Sequence, residues 1–397
     1  MSAAGLSGSS GAGGPGIFIV AGESSGDELG ASLIAALKAR APDAGFRGVG
    51  GPAMQAQGFS SLFPMQDIAV MGFLPVVRHL PHLLARINAT AQAILADPPD
   101  AVVLIDSPDF THRVARRVRA ANPAIPIVDY VSPTVWAWRP GRAKKMRAYV
   151  DLVLALLPFE PQAHADLGGP PCVYTGHPLI EKLHQLRGTG EDNSRLRSET
   201  LAVLPGSRRS EITRLMPVFG EAIGLLKAQF PSLRIVLPAV RHLMQDIEAL
   251  ASNWPIAPSI VSGEGNKYRV FRSASAALAA SGTVTLELAL AQTPAVLAYK
   301  VAPAEAFLVR RLVRTPFAGL PNIIAGREVI PEFLQEAATP ENLAAALAPL
   351  LAGGAQRAAQ LAGFAEVDAA MQLPEGQTPS SVAAQAVLTL LQQRGRG

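Results

Sequence analysis

One cysteine, Cys172, is all that 397 residues contain. That excludes an internal disulfide framework and any Cys-x-x-Cys metal site, and it points to a reducing compartment. No run of about 20 uninterrupted apolar residues is present, so nothing reads as a membrane-spanning helix. Residues 1–16 are dominated by Gly, Ser and Ala and carry no Lys or Arg. A secretory signal needs a basic start and an apolar core, so this segment reads as a flexible tail. Charge is sparse as well: charged residues make up 17% of the chain and the net charge is +4, with both signs mixed throughout. This mild basic bias suits an anionic substrate or a membrane surface. It lacks the clustering of a nucleic-acid binder, and no nucleic-acid partner is expected. What the chain has instead is 49% hydrophobic residues, enough for a well-filled interior, over a length that calls for two domains.

The stretch Leu201 to Ile212, LAVLPGSRRSEI, organises the rest. Four apolar residues read as a short buried strand, Pro205 and Gly206 break it, and an amphipathic run follows. A strand, a tight Gly turn and a helix start present unpaired backbone N–H groups and the positive end of a helix dipole. Ser207 adds a hydroxyl and Arg208 a fork of donors suited to phosphate. The turn is a candidate holder of a phosphorylated ligand, or an ordinary strand-to-helix connection with surface arginines.

Before it, Ile17 to Ala21 reads as a buried strand, followed by GESSGD at 22–27 and a helix to Arg40. This Gly turn is not a G-x-G-x-x-G fingerprint, and Glu23 and Asp27 oppose a phosphate there. Met71 to Ile87 is rich in large apolar residues with Arg78, His79, His82 and Arg86 between them; Pro75 and Pro81 argue against one continuous helix. It is either core or a lipid-facing surface. Ala101 to Ile105 is an unbroken apolar run, as in a central parallel strand, and it delivers Asp106 at its carboxyl end. A carboxylate there suits general-base work; the alternative, an N-cap for the next helix, fits Asp109 better. VSPTVWAWRPGRAKKMR at 131–147 holds Trp136, Trp138 and five basic residues, among them Arg139 and Arg142. His177, in TGHP, is a candidate base or a structural turn residue.

Residues 187–200 are polar and without apolar period and read as a linker. The strand–helix alternation then restarts. SGTVTLELAL at 281–290 is a further strand–Gly-turn–helix, with Ser281, Gly282 and Thr283 opening the helix and Glu287 one turn in. Glu287 suits a ribose diol or a surface salt bridge. Asn322 sits in a Pro- and Gly-punctuated loop, and three helices close the chain at 340–353, 355–371 and 378–393. The reading is α/β: two Rossmann-like doubly wound parallel-sheet domains facing a cleft. The expected boundaries are a tail at 1–16, domains at 17–186 and 201–353 around the linker, and C-terminal helices over 354–397 that pack back on the first domain or exchange between subunits.

The ordered set AGESSGD (21–27), IDSPDF (105–110), YVSPTVWAWRPGR (130–142), LLPFEP (156–161), TGHPL (175–179), LPGSR (204–208), SGTVTLE (281–287) and LPNIIAGRE (320–328) resembles the lipid-A-disaccharide synthase family, inverting UDP-sugar glycosyltransferases of the GT-B fold. The likeness runs from about Ile17 to the final helix. It departs at the Gly/Ser tail, which has no counterpart, and at Arg209, where a small residue is common. The resemblance implies transfer of 2,3-diacylglucosamine from its UDP derivative to the 6-hydroxyl of 2,3-diacylglucosamine 1-phosphate (lipid X), with inversion, releasing UDP. It implies Asp106 as the base on the acceptor hydroxyl. Gly206, Ser207, Arg208, Ser281, Gly282 and Thr283 are implied on the UDP diphosphate, Glu287 on the ribose, and Asn322 in the same pocket. Gly22, Glu23, Ser25 and Asp27 are expected to line the acceptor side, and charge points to Arg139 and Arg142 for the acceptor phosphate. No D-x-D signature is present, so no metal and no cofactor are expected. Acylated substrates turn Met71, Phe73, Leu74 and Val77 into an expected membrane surface, with peripheral attachment to the cytoplasmic face of the inner membrane. A homodimer is left open. The rival readings are a UDP-GlcNAc 2-epimerase-like enzyme and a non-catalytic nucleotide- or lipid-binding module.

Overall fold

In the computed structural model of the chain, the described residues are 14–68, 73–188 and 199–395, without the side chains of 73–79, 304 and 308–310. Most of the expected tail and most of the expected linker lie outside them, as do Met71 and the side chains of Phe73, Leu74 and Val77. Two compact units divide the chain: Met1–Pro178 with Leu373–Gly397, and Leu179–Gln372. The division falls ahead of the polar stretch at 187–200, because the short helix Leu183–Arg187 buries Leu186 in the second unit's core.

The first unit is built on seven strands: β1 (Gly16–Ala21), β2 (Gly45–Val49), β3 (Ser60–Ser61), β4 (Ala101–Ile105), β5 (Ile127–Tyr130), β6 (Leu152–Ala155) and β7 (Cys172–Tyr174). Their order is β3-β2-β1-β4-β5-β6-β7, and every pairing is parallel. The order reverses between β1 and β4, which makes their carboxyl ends the switch point where such sheets bind ligands. The strands read as unbroken apolar runs because both faces are covered. Phe18 and Val20 join Val102, Leu104, Val114 and Val118 on one face; Ile17 and Ile19 join Leu33, Ile34 and Leu37 of helix Ser24–Arg40 on the other.

That second face is completed by the last helix, Pro379–Gln393. Its small residues Ala383 and Ala384, with Val387, pack against β1's cluster, so the chain's end belongs to the first unit. A capping box of Thr378 and Ser381 starts it. The preceding helix, Ala355–Met371, stays in the second unit. There the amide of Gln360 pairs both the N–H and the C=O of Ala295 at 2.6 and 2.9 Å. The C-terminal helices therefore do not travel together.

The second unit has six strands: β8 (Thr200–Leu204), β9 (Arg234–Ala239), β10 (Ser259–Ser262), β11 (Ala276–Ala279), β12 (Ala295–Tyr299) and β13 (Glu332–Leu334). They are again parallel throughout, in the order β10-β9-β8-β11-β12-β13, with the switch point between β8 and β11. Both sheets have the doubly wound pattern expected from the alternation of elements.

One local reading is corrected, and two elements join those read from the sequence. Helix Phe73–Ala96 runs through Pro81 without a break; Pro75 lies in its first turn, where no N–H partner is needed, and Pro81 costs one internal bond. Residues 332–334 form the edge strand β13. Pro303–Leu312 forms a further helix.

Candidate functional site

Each switch point gathers polar residues around a tight turn. In the first unit the chain leaves β4 through Asp106 and Ser107, both left-handed (φ 55° and 46°). Val131 (φ 78°) and Arg139 (φ 53°), in the loop after β5, share that conformation. A β-branched residue at positive φ is an outlier, and such strain concentrates where function needs a particular geometry. The Asp106 turn is held by its own bonds. Asp106 N–H donates to the Tyr130 carbonyl (3.0 Å), Thr111 Oγ1 donates to the Asp106 carbonyl (2.9 Å), and Ser107 N–H donates to Asp106 Oδ1 (2.7 Å). Oδ2 has no partner among the described residues. Asp106 is thus half-buried, with one carboxylate oxygen fixed and the other open. The turn after β1 packs directly on it: a Cβ on Gly22 would lie 2.4 Å from Ser107 Oγ, so only glycine fits.

Other expected residues of this unit separate into different jobs. Asp27 is buried, and its carboxylate accepts the backbone N–H groups of Gly51, Ala53 and Met54 at 2.8, 2.9 and 3.1 Å. It caps the helix Pro52–Ala56, so both carboxylate oxygens are engaged by backbone N–H groups. Glu23 is half-buried at the N-cap of helix Ser24–Arg40, and Ser25 is exposed. The N-cap after β4 is Ser107, and Asp109, expected there, is exposed in the first turn 3.6 Å from Arg142. The two tryptophans diverge. Trp138 is exposed under the Arg139 guanidinium, 4.2 Å from its ring centre. Trp136 donates to Glu160 Oε1 at 3.1 Å and packs edge-on to Phe159. Glu160 also accepts Leu157 N–H (2.9 Å); burial pushes its carboxyl up to about 7. Ser132 bonds His164 Nε2 (2.8 Å), and burial lowers that imidazole's pKa. Buried side chains therefore anchor the loop carrying Arg139 and Arg142 at two points. His177 follows β7, and burial pushes its ring down to about 4, which leaves it neutral at pH 7.

In the second unit one cavity of ≈ 550 Å³ is lined by seven of the eight residues expected around a nucleotide: Gly206, Ser207, Arg208, Ser281, Gly282, Thr283 and Glu287. The eighth, Asn322, does not line it. Asn322 is fully buried. It donates to the Ile330 carbonyl and Glu332 Oε1 (both 2.7 Å) and accepts the N–H groups of Val329 and Ile330 (2.7 and 2.8 Å). Its hydrogen-bonding capacity is spent tying its helix, Leu320–Ala325, to the 329–332 segment that leads into β13. Asn322 thus braces the segment beside the cavity without lining it.

The two turns of the cavity are not equivalent. After β8, Gly206 (φ 117°) brings the chain against Glu211, whose Oε2 would lie 2.3 Å from a Cβ there. Glu211 Oε2 accepts the N–H groups of Ser207 (2.9 Å) and Arg208 (3.2 Å), completing a capping box at the start of helix Arg209–Lys227. The Ser207 amide, expected to face a diphosphate, is occupied. The Arg208 guanidinium remains exposed, 3.5 Å from Glu211 Oε1. After β11, Gly282 (φ 143°) is the N-cap of helix Thr283–Leu290 and carries no side-chain cap. The first N–H groups of that helix, on Thr283 and Val284, have no internal acceptor. Ser281 Oγ donates to the Ala318 carbonyl at 2.9 Å and so braces the turn where it lines the cavity. Of the two helix starts, this one carries no side-chain cap, whereas the one in the LPGSR stretch is capped by Glu211.

Two charged cavity residues escaped the sequence reading. Glu211 had a local signal, an acid three residues after the N-cap. Lys267 had none. It stands on helix Glu264–Ser273, and its Nζ donates to Glu287 Oε1 at 2.8 Å from across the cavity wall.

Known proteins align with nearly the whole chain. A family model described as lipid-A-disaccharide synthetase matches residues 17–387. The lipid-A-disaccharide synthase of Rhodopseudomonas palustris (strain HaA2) is 52% identical over 380 residues, covering 95% of this chain and 96% of its own length. That of Ruegeria pomeroyi is 46% identical, covering 94% of this chain and 95% of its own. Among solved structures, UDP-GlcNAc 2-epimerase from Neisseria meningitidis bound to UDP-GlcNAc is similar in fold. Its TM-score is 0.60 at 12% identity, over 95% of this chain and 99% of that one. The calicheamicin glycosyltransferase CalG4 gives 0.57 at 17% identity, over 96% and 99%. At these identities the structural likeness concerns the fold alone.

Proposed function

The chain belongs to the lipid-A-disaccharide synthase family, and from that premise we propose how its residues divide the reaction. The enzyme is a glycosyltransferase that takes a UDP-sugar donor and lipid X as acceptor. The epimerase-like reading rests on fold alone, while the synthases share about half their residues with this chain.

The proposed donor site is the cavity of the second unit. UDP's diphosphate meets the Thr283 and Val284 amides at the helix start and the Arg208 guanidinium, which is free to swing onto it. The ribose hydroxyls meet Glu287. Asp106 is the proposed base. Its unpartnered Oδ2 takes the proton of the acceptor 6-hydroxyl as O6 bonds to the sugar's anomeric carbon. The bond from that carbon to the β-phosphate oxygen breaks on the opposite face, so the configuration inverts. The electron pair leaves on UDP, where Arg208 and the helix amides stabilise it. Arg142 and Arg139 are proposed for the acceptor's 1-phosphate, with Glu23 and Ser25 beside the β1 turn. Peripheral attachment to the inner membrane through the 71–77 segment and a homodimer belong to the same proposal.

The observation that carries this reading is the left-handed Asp106–Ser107 turn, which fixes one carboxylate oxygen and leaves the other open. Asp106→Asn tests it: turnover should drop roughly 10²–10⁴-fold with UDP affinity unchanged. Turnover within a few-fold of the parent's would remove Asp106 from the role of base.

A further inference from the structure

Nine large apolar side chains are exposed among the described residues, and three of them, Phe307, Leu312 and Val313, fall within seven residues. Single exposed apolar residues are ordinary; a cluster is not. Phe307 is the most exposed of the nine, at 59%, with Leu312 at 44% and Val313 at 38%. They lie on and just past helix Pro303–Leu312, whose buried side is held by Ala306. Arg311 and Arg314 are exposed in the same patch, and the Arg311 guanidinium stacks over the Phe307 ring at 4.3 Å. From Lys300 to Arg314 the sequence carries four basic residues against one acid, Glu305.

We propose that the helix Pro303–Leu312 and the two residues after it form an anionic-bilayer-binding surface of the second unit, with Phe307, Leu312 and Val313 entering the interface and Arg311 and Arg314 meeting lipid phosphates. Apolar side chains ringed by cations match the interfacial zone of an anionic bilayer, where each buried group and each surface charge adds affinity. Charge selects this occupant over a second copy of the chain. A two-fold contact would set Arg311 and Arg314 of one patch against the same residues of the other. Position in the chain agrees. The helix begins four residues after Tyr299, which lines the donor cavity, and the donor that enters the cavity carries acyl chains anchored in lipid. The surface deepens the peripheral-membrane part of the proposed function, but it belongs to a different unit from the 71–77 segment and is tested apart from it.

The test is co-sedimentation of the full chain with phosphatidylcholine vesicles, with and without 30% phosphatidylglycerol as the probe composition. Phe307→Ser/Leu312→Ser/Val313→Ser should lower the partition coefficient on anionic vesicles about tenfold or more, because it removes three interfacial side chains. Arg311→Gln/Arg314→Gln should lose most of the preference for the anionic vesicles, about fivefold or more for each charge. UDP affinity and the melting temperature serve as fold controls. Phe307→Trp keeps the patch apolar and gives a second readout: the indole emission should shift blue and be quenched by brominated lipid only when anionic vesicles are added. Unchanged partition of the triple variant, or an indole signal in Phe307→Trp that is blind to vesicles, overturns the proposal. So does a triple variant that changes oligomeric mass but not vesicle binding. A chain that binds no vesicles at all removes the peripheral-membrane reading as well. Vesicle binding lost only on substitution of Phe73, Leu74 and Val77 keeps that reading and removes this one.

Discussion

Lys267 Nζ lies 2.8 Å from Glu287 Oε1, so one oxygen of the carboxylate proposed for the donor's ribose is held from the cavity wall. Both side chains are mostly buried, at 26% and 10% exposure, where an ion pair is screened less than at a surface. The bond leaves the second oxygen to accept from a diol and sets its direction.

The first prediction follows from that pair. Lys267→Met should weaken UDP binding about tenfold and shrink the penalty for replacing UDP by 2′-deoxy-UDP, because a carboxylate no longer held in place discriminates the hydroxyl poorly. Calorimetric titration of both ligands against parent and variant measures it. Glu287→Ala should abolish the discrimination. An undiminished 2′-deoxy penalty in Lys267→Met would show that Lys267 does not orient the acid.

Glu211 is the second case. Its carboxylate accepts two backbone N–H groups at the turn after β8. Glu211→Ala should cost about 1–2 kcal/mol and lower the melting temperature by a few degrees. Glu211→Gln keeps an acceptor and should recover most of that loss. It also removes a negative charge beside the proposed diphosphate site, so its UDP affinity should equal or exceed the parent's. An affinity loss in Glu211→Gln larger than in Glu211→Ala would contradict the capping role.

Asp27 and Asn322 should behave as structural residues. Asp27→Ala strands three backbone amides and Asn322→Ala leaves several buried groups unpaired, so each should cost about 2–4 kcal/mol by denaturant titration. The folded fraction of each variant should keep the parent's UDP affinity. A stable Asn322→Ala protein with weakened UDP binding would return Asn322 to the pocket.

The fourth prediction concerns pH. The Glu160 carboxyl is raised from 4.5 to about 7 in the folded chain, so between those values the native state holds more protons than the unfolded one. Its contribution to stability is therefore complete below about pH 4.5 and is lost as pH rises through 7. His177, lowered to about 4, works the other way, losing stability as pH falls below 6.5. A difference measurement separates them. The melting temperature of Glu160→Gln relative to the parent should climb between pH 5 and pH 8. A difference that stays level across that range would place the Glu160 titration elsewhere.

Elements and switch points were legible in the sequence because doubly wound sheets write themselves as alternation. IFIVA, AVVLI and LAVL are apolar without interruption since both faces of each strand are covered, and each ends on the turn that carries polar residues. The edge strand β13 was missed for the opposite reason: at three residues, with no face fully buried, it carries no such run. Helix Phe73–Ala96 defeated a local rule, since a proline inside a helix is tolerated when the rest of the helix is held by packing.

The sequence by itself determined the fold class, the family and the positions of the Gly turns, because these rest on local pattern and on ordered motifs. The tertiary structure alone decided which polar side chains remain available for chemistry. Asp27 and Asn322 sit in motifs as suggestive as Asp106, yet Asp27 is consumed by backbone 24–27 residues away and Asn322 by the 329–332 segment, while Asp106 keeps an open oxygen. Lys267 is ordinary on its own helix and becomes a cavity residue only because folding brings it to Glu287. A hydrogen-bonding group's availability depends on every neighbour competing for it, and those neighbours are set by the packing of distant segments.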